Sequence, residues 1–242
     1  MPAVKTFEIR LWNSGSVAYR ALPLSINATK PKAYSVTQAK WRLTRTSGYA
    51  DATLSIMGDA TQIAGMVKGR RIELYGKDSS GNALRLYRGY VARIEVFAGP
   101  PVMTTVTLYG IWQRRGKMIC RQRWAWPQST DIANAFSQMA NRWIGKKYPD
   151  ISIASTSVGQ TIDNLDGWRR PIEQVANDLI ALTGGFAVSG GDVDPTSGAD
   201  RLFFRPYGSA ASPTHILPFP DPAKRVVTYQ ACLLYTSDAA DE

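Results

Sequence analysis

The stretch that decides the fold is Leu84-Arg85-Leu86-Tyr87-Arg88-Gly89-Tyr90-Val91-Ala92-Arg93-Ile94-Glu95-Val96. It is followed by Gly99-Pro100-Pro101 and then Val102-Met103-Thr104-Thr105-Val106-Thr107-Leu108-Tyr109. Both runs are long and alternate, the period of β-strands. The two prolines remove backbone donors and stop pairing, which predicts a hairpin connection between them.

Working outward, the same period recurs on the N-terminal side. Thr6–Trp12 places Phe7, Ile9 and Leu11 on one face, and Lys40–Arg45 puts Trp41 and Leu43 inward. Thr53–Ile56, ended by Gly58-Asp59, and Arg71–Tyr75, ended by the turn-rich 76–82, complete the set. Short strands with Gly-bearing turns predict an antiparallel sheet curled into a β-barrel-like domain over residues 1–117.

After Ile111 the pattern changes. Trp112, Arg114, Arg115, Lys117, Arg121, Arg123, Trp124 and Trp126 make a basic, tryptophan-bearing connector that ends at Pro127. Ser129 or Thr130 then caps a helix to about Ile144, with Ile132, Phe136, Met139, Ala140 and Trp143 on its apolar face. A second helix opens at Pro171, with Glu173 in its first turn, and closes at Gly184-Gly185. Ile151–Ala154, Phe186–Val188 and Arg201–Arg205 read as strands, the last two joined by a 190–200 loop. Residues 129–207 are thus a small two-helix α+β domain, and the fold class is mainly β with α+β. A Pro- and Ser-rich linker covers 208–222, and 223–231 begins a further segment. There is no internal repeat.

The last eleven residues, Cys232 to Glu242, read as something other than protein. Ten codons, TGT CTC TTA TAC ACA TCT GAC GCT GCC GAC, translate in register as Cys232 through Asp241 and match a tagmentation adapter. They are therefore set apart from the fold as an artefactual tail, with the natural chain expected to continue past Ala231.

The chain has 242 residues, 44% hydrophobic and 20% charged, a globular composition. No apolar run approaches the roughly 18 residues of a membrane span. Lys5, Glu8 and Arg10 interrupt any signal-peptide core, so a soluble chain is expected. Lysine and arginine number 29 against 19 acidic residues, and the excess is uneven. Residues 1–117 hold 18 basic and 6 acidic side chains, whereas 118–231 are nearly balanced. Such asymmetry permits contact with nucleic acid or an acidic partner.

Tests for catalytic chemistry return little. One histidine, His215, and two cysteines, Cys120 and Cys232, exclude a two-His zinc motif and a disulfide framework. The glycines of 65–69 and 184–191 lack the strand-to-helix context and Lys-Ser/Thr ending of a phosphate loop. Asp163 with Asp166, and Asp192 with Asp194, sit in turn-like sequence, where aspartate accepts backbone hydrogen bonds. Asp192, Asp194 and Asp200 miss the spacing of a calcium loop. Cys120 lies in a basic stretch able to lower a thiol pKa, but no nucleophile signature surrounds it. No catalytic, metal or cofactor residue is assigned. The connector is the binding candidate, with three readings open: a subunit interface, domain-junction packing, or nucleic-acid contact through basic and stacking side chains.

Taken in order, these motifs resemble a known group. Gly48-Tyr49-Ala50-Asp51-Ala52-Thr53-Leu54-Ser55-Ile56, the strand Gly69–Tyr75, Leu86-Tyr87-Arg88-Gly89-Tyr90-Val91 and Val106–Gly110 follow the order of the first barrel of bacteriophage tail-hub and minor tail proteins. Gly89-Tyr90-Val91-Ala92-Arg93-Ile94 supplies the group's "G-x-V-x-x-I". Asp166-Gly167-Trp168-Arg169-Arg170-Pro171-Ile172 and the hairpin end Leu202-Phe203-Phe204-Arg205-Pro206 are similar to minor tail proteins of long, non-contractile-tailed phages and prophages. The resemblance covers about residues 5–207 and implies assembly, not catalysis. It implies a ring-forming homo-oligomer, commonly a trimer, that closes the tail tube beside other tail proteins. The location implied is the virion tail, after assembly in the bacterial cytoplasm, with fibres or a lytic domain downstream. The cationic first domain departs from an anionic tube lumen and suggests contact with the tube or an acidic neighbour. The rivals are a nucleic-acid-binding β-barrel module and a cell-wall hydrolase whose catalytic part lies beyond Ala231.

Overall fold

A computed structural model describes residues 6–13, 18–24, 34–44, 48–77, 81–120, 124–142, 151–165, 169–194, 196–207 and 226–232; for 6, 124–128, 164–165 and 226–232 only the backbone is described. Its strands are β1 (Thr6–Trp12), β2 (Tyr19–Leu22), β3 (Ser35–Thr44), β4 (Gly48–Met57), β5 (Arg71–Lys77), β6 (Ala83–Phe97), β7 (Met103–Tyr109), β8 (Trp124–Asp131), β9 (Ile151–Ser155), β10 (Thr161–Leu165), β11 (Ala187–Val193), β12 (Asp200–Pro206) and β13 (Val226–Cys232). The helices are α1 (Ile111–Arg115), α2 (Ile132–Ala140) and α3 (Ile172–Leu182). Two compact units result: Met1–Leu43 with Ala50–Gly110 and Leu217–Glu242, and Thr44–Tyr49 with Ile111–Ile216.

The first unit is a sheet ordered β2-β1-β5-β6-β7-β4-β3, with β13 on the far side of β3. The β6–β7 hairpin forms as its alternation predicts, from Tyr90↔Tyr109 to Phe97↔Met103. Ile9, Leu11, Leu54, Ile56, Ile72, Leu74, Tyr87, Val106 and Leu108 are buried on the inner face. The Tyr87 ring lies across Gly89, where an added Cβ would meet ring atom Cε1 at 2.6 Å, and its hydroxyl donates to the Ala50 carbonyl at 3.2 Å. That packing explains the glycine two residues after a buried tyrosine.

The expected barrel does not close. Among the described residues, the four of β2 pair only with β1, and one isolated bridge two residues past the strand, Leu24 to Val36, reaches β3. A closed barrel needs a continuous ladder all the way round, and a strand this short supplies none on its second edge.

In the second unit, β11 and β12 form a hairpin from Ala187↔Pro206 to Val193↔Asp200, and β9 runs parallel to β12. The hairpin is longer than its sequence suggests. Gly190 and Gly191 stay extended opposite Phe203 and Leu202, so the connection shrinks to Asp194–Ala199. Asp194 organises it by accepting from the Thr196 and Ser197 amides at 2.9 and 3.4 Å. Against this hairpin pack α2, through Ile132, Phe136 and Met139, and α3, through Ile172, Val175 and Leu179, all buried. Phe136 stacks on Phe204 with centroids 5.2 Å apart.

The cap of α2 is Asp131, whose carboxylate accepts from the Ala133 and Asn134 amides. Ser129 and Thr130 do not cap it because the chain there is still strand: Thr130 pairs with Ile162 in the β8–β10 ladder, and Ser129 sits at φ 62°. The α-helical part runs to Ala140 and 141–142 continue with π-helical bonding; Trp143 and Ile144 lie outside the described residues. The second helix begins after Pro171 as expected, and Gly184 and Gly185, at φ 64° and 81°, follow its end. No helix among the described residues is long and apolar enough to cross a membrane.

Candidate interaction surface

On the outer face of the first unit, alternation in β1, β5 and β6 produces a polar layer. Antiparallel register sets Trp12 beside Tyr19, Arg10 opposite Glu73, Glu8 opposite Tyr75, and Arg88 opposite Glu73. A bulge in β6 extends it: Leu74 pairs with Tyr87 but Tyr75 pairs with Arg85, so Leu86 is the extra residue. Strict alternation would turn Arg85 to the Tyr87 side; the bulge brings it onto the Arg88 side.

Glu73 is the centre of the layer and is fully buried. Its carboxylate pairs with the Arg88 guanidinium, itself 3% exposed, and accepts from the Tyr75 hydroxyl at 2.7 Å. Arg71 and Arg85 each bring Nε to 3.7 Å from the same Oε1. Burial pushes this carboxyl up, but Arg88, the Tyr75 hydroxyl, Arg85 and Arg71 outweigh it and hold it below its ordinary value. The same burial, with the hydrogen bond to Glu73, raises the Tyr75 phenol. Glu8 takes a two-point contact from Arg10, at 2.8 and 3.1 Å, and the Lys77 ammonium at 2.6 Å.

Aromatic rings hold the guanidiniums in place. Arg10 lies 4.4 Å above Tyr19 and 4.1 Å above Tyr75, and Arg71 lies 4.1 Å above Trp12. Arg85 donates its Nε to the Tyr75 hydroxyl at 3.2 Å. Trp12 Nε1 and Arg71 Nε are buried donors with no hydrogen-bond partner among the described residues. Such an arrangement can bind anions through fixed guanidinium edges; it holds no nucleophile paired with a base.

The residues singled out from the sequence lie in the second unit, in varied surroundings. Trp112 is buried in α1 beside Phe136, 6.5 Å between centroids. Arg115 is also buried, Arg114 half-buried and Lys117 exposed. Arg121 and Arg123 lie outside the described residues, and Trp124 and Trp126 are described only as β8 backbone. The connector is not an open strand of chain. After α1, its residues 116–120 run along the start of α3, where the Glu173 and Ile172 amides donate to the Gly116 and Met118 carbonyls at 2.9 Å.

Other candidates resolve into structure. Cys120 is buried, and burial drives its thiol up to about 11 against the opposing pull of Arg170, the reverse of activation by a basic stretch. Asp192 makes a two-point contact with its cross-strand neighbour Arg201 at 2.7 Å. Asp163 sits in strand β10, not a turn, and accepts from the Ser129 amide at 2.8 Å. Asp166 and His215 lie outside the described residues. Among the described residues no three of His, Cys, Asp and Glu gather as a metal would require.

The sequence reading missed the polar layer. Glu8-Arg10-Trp12 and Arg71-Glu73-Tyr75 do alternate opposite the apolar residues, and that was the available signal. Which strands pair, and in what register, is not written in either.

No family model and no curated protein matches the chain. Solved structures do. The 43 kDa tail protein of prophage MuSo2 from Shewanella oneidensis is similar over 81% of this chain and 53% of its own, at 14% identity and a TM-score of 0.52. A tail protein from Neisseria meningitidis MC58 is similar over 81% of this chain and 50% of its own, at 8% identity and a TM-score of 0.48. The chain spans about half the length of each. The first unit's sheet and the helix-backed hairpin of the second together have the fold found in the prophage MuSo2 tail protein.

Proposed function

We propose that this chain is a structural component of a phage or prophage tail: a tail-hub or minor tail protein at the tail tip that assembles into a ring of identical copies, three on the resemblance, beside other tail proteins, and that carries further tail-tip elements. The observation that supports it is the fold shared with the MuSo2 tail protein over 81% of the chain. The chemistry agrees. Charged groups in the polar layer bind one another and rings, as in a contact surface, and Asp192 and Asp194 serve a strand pair and a turn.

In this reading Trp112 and Arg115 brace the second unit from inside, while Arg114 and Lys117, with Arg121, Arg123, Trp124 and Trp126, meet a neighbouring subunit or domain. The expected domains, 1–117 and 129–207 joined by 118–128, are read here with residues 111–117 on the side of the second unit. The protein works in the virion tail after assembly in the host cytoplasm and does no catalysis in these residues.

The test is light scattering on the purified full chain, with micrographs of the same sample. Rings of one stoichiometry are expected. A chain that stays monomeric at the highest attainable concentration and shows no ring overturns the proposal.

A further inference from the structure

We propose that Arg71 and Arg85 are the open jaws of a carboxylate-binding site on the first unit, whose occupant is an Asp or Glu side chain of an acidic partner protein. The observation is an imbalance at one point. Three guanidiniums, those of Arg71, Arg85 and Arg88, converge on the single carboxylate of Glu73. Arg88 takes that carboxylate; the other two stop at 3.7 Å, beyond hydrogen-bond length. Glu8, the other acid of the layer, is already shared by Arg10 and Lys77. Arg71 and Arg85 keep 28% and 25% of their side chains exposed; with the Arg71 Nε buried and the Arg85 Nε on the Tyr75 hydroxyl, a second anion would be met by their terminal nitrogens. A guanidinium presents a planar fork that matches a carboxylate.

The covered rings choose between anions. Binding single-stranded nucleic acid uses free aromatic faces on which bases stack. Here Tyr75 is buried under Arg10, and Trp12 carries Arg71 on one face. The inference rests on the tail reading only in taking the partner to be another protein of that assembly.

The experiment is calorimetric titration of the full chain with a hexaglutamate peptide, at low and at high salt. The variants are R71Q/R85Q, R71K/R85K, and K40Q/K68Q, which removes the same charge from two exposed lysines of the same unit. Salt-sensitive binding by the parent chain is expected. R71Q/R85Q should weaken it by roughly tenfold or more, given two charge-assisted hydrogen-bonding groups lost. K40Q/K68Q should change it by less than about twofold, an exposed charge being worth little. R71K/R85K, which keeps the charge and loses the fork, should fall between them. Absence of binding by the parent chain overturns the site, as does an equal loss in K40Q/K68Q. Displacement of the peptide by an equal concentration of inorganic phosphate or a single-stranded oligonucleotide overturns the choice of a carboxylate. A chain that binds the peptide through these arginines but enters no ring sinks the tail reading and leaves the site standing.

Discussion

At Glu8 the hydrogen bonds from Arg10, aided by Lys77 and opposed by burial, hold the carboxyl at about 2 against an ordinary 4.5. A group whose folded-state pKa is depressed stabilises the fold fully above its unfolded value and loses that stabilisation as pH falls through the folded one. The contribution of Glu8 is therefore present above roughly pH 5.5 and disappears toward pH 2. Glu8→Gln should lower the urea midpoint at pH 7 by an amount worth at most about 1 kcal/mol, since solvent screens a pair at this depth. At pH 2 variant and parent should unfold together. Equal midpoint differences at both pH values would show that Glu8 acts through packing, not charge. Cys120 makes the opposite point at the same scale: Arg170 is close enough to lower the thiol, yet burial wins and pushes it up to about 11. A basic neighbourhood in sequence does not predict reactivity when the sulfur is out of water.

Among the elements, the β11–β12 hairpin shows how a sequence signal can mislead. Two adjacent glycines within Ser189-Gly190-Gly191-Asp192 read as a loop, but they are strand because another segment lies on them. A Cβ at Gly191 would stand 2.6 Å from the Trp112 amide nitrogen and 2.9 Å from Ile111 side-chain atoms. Gly191→Ala should therefore push the start of α1 off the hairpin and cost about 1–3 kcal/mol, as overpacking does, read as a lower thermal midpoint. An unchanged midpoint would mean that the contact relaxes freely. The helices were legible for a different reason. The apolar spacing of Ile132, Phe136 and Met139 and of Ile172, Val175 and Leu179 is a local property, and both helices bury those residues. The cap of α2 was misplaced by one or two residues because Ser129 and Thr130 are held by β10, a partner more than thirty residues away.

For the molecule as a whole, the proposed ring has a thermodynamic signature. A chain that associates with copies of itself is stabilised by mass action, so its thermal midpoint rises with protein concentration. The midpoint of the full chain should increase by a few degrees over a hundredfold range of concentration, measured by calorimetry. A midpoint independent of concentration would speak for a folded monomer. The barrel expectation failed at this scale too. Most strands of the first unit were readable, but β2 was not among them, and closure depends on a second edge for that strand, which strand-like sequence elsewhere does not supply.

By itself the sequence determined the strand-rich first half, the proline-bounded hairpin, the two amphipathic helices and the cationic excess of residues 1–117, because all of these are properties of near neighbours or of composition. The tertiary structure alone decided which charges face one another. Arg88 reaches Glu73 only through the β5–β6 register, and Arg85 joins them only because a bulge at Leu86 turns it to the other face. A one-residue slip moves a side chain across the sheet, and nothing in the alternation of 84–96 marks where that slip falls.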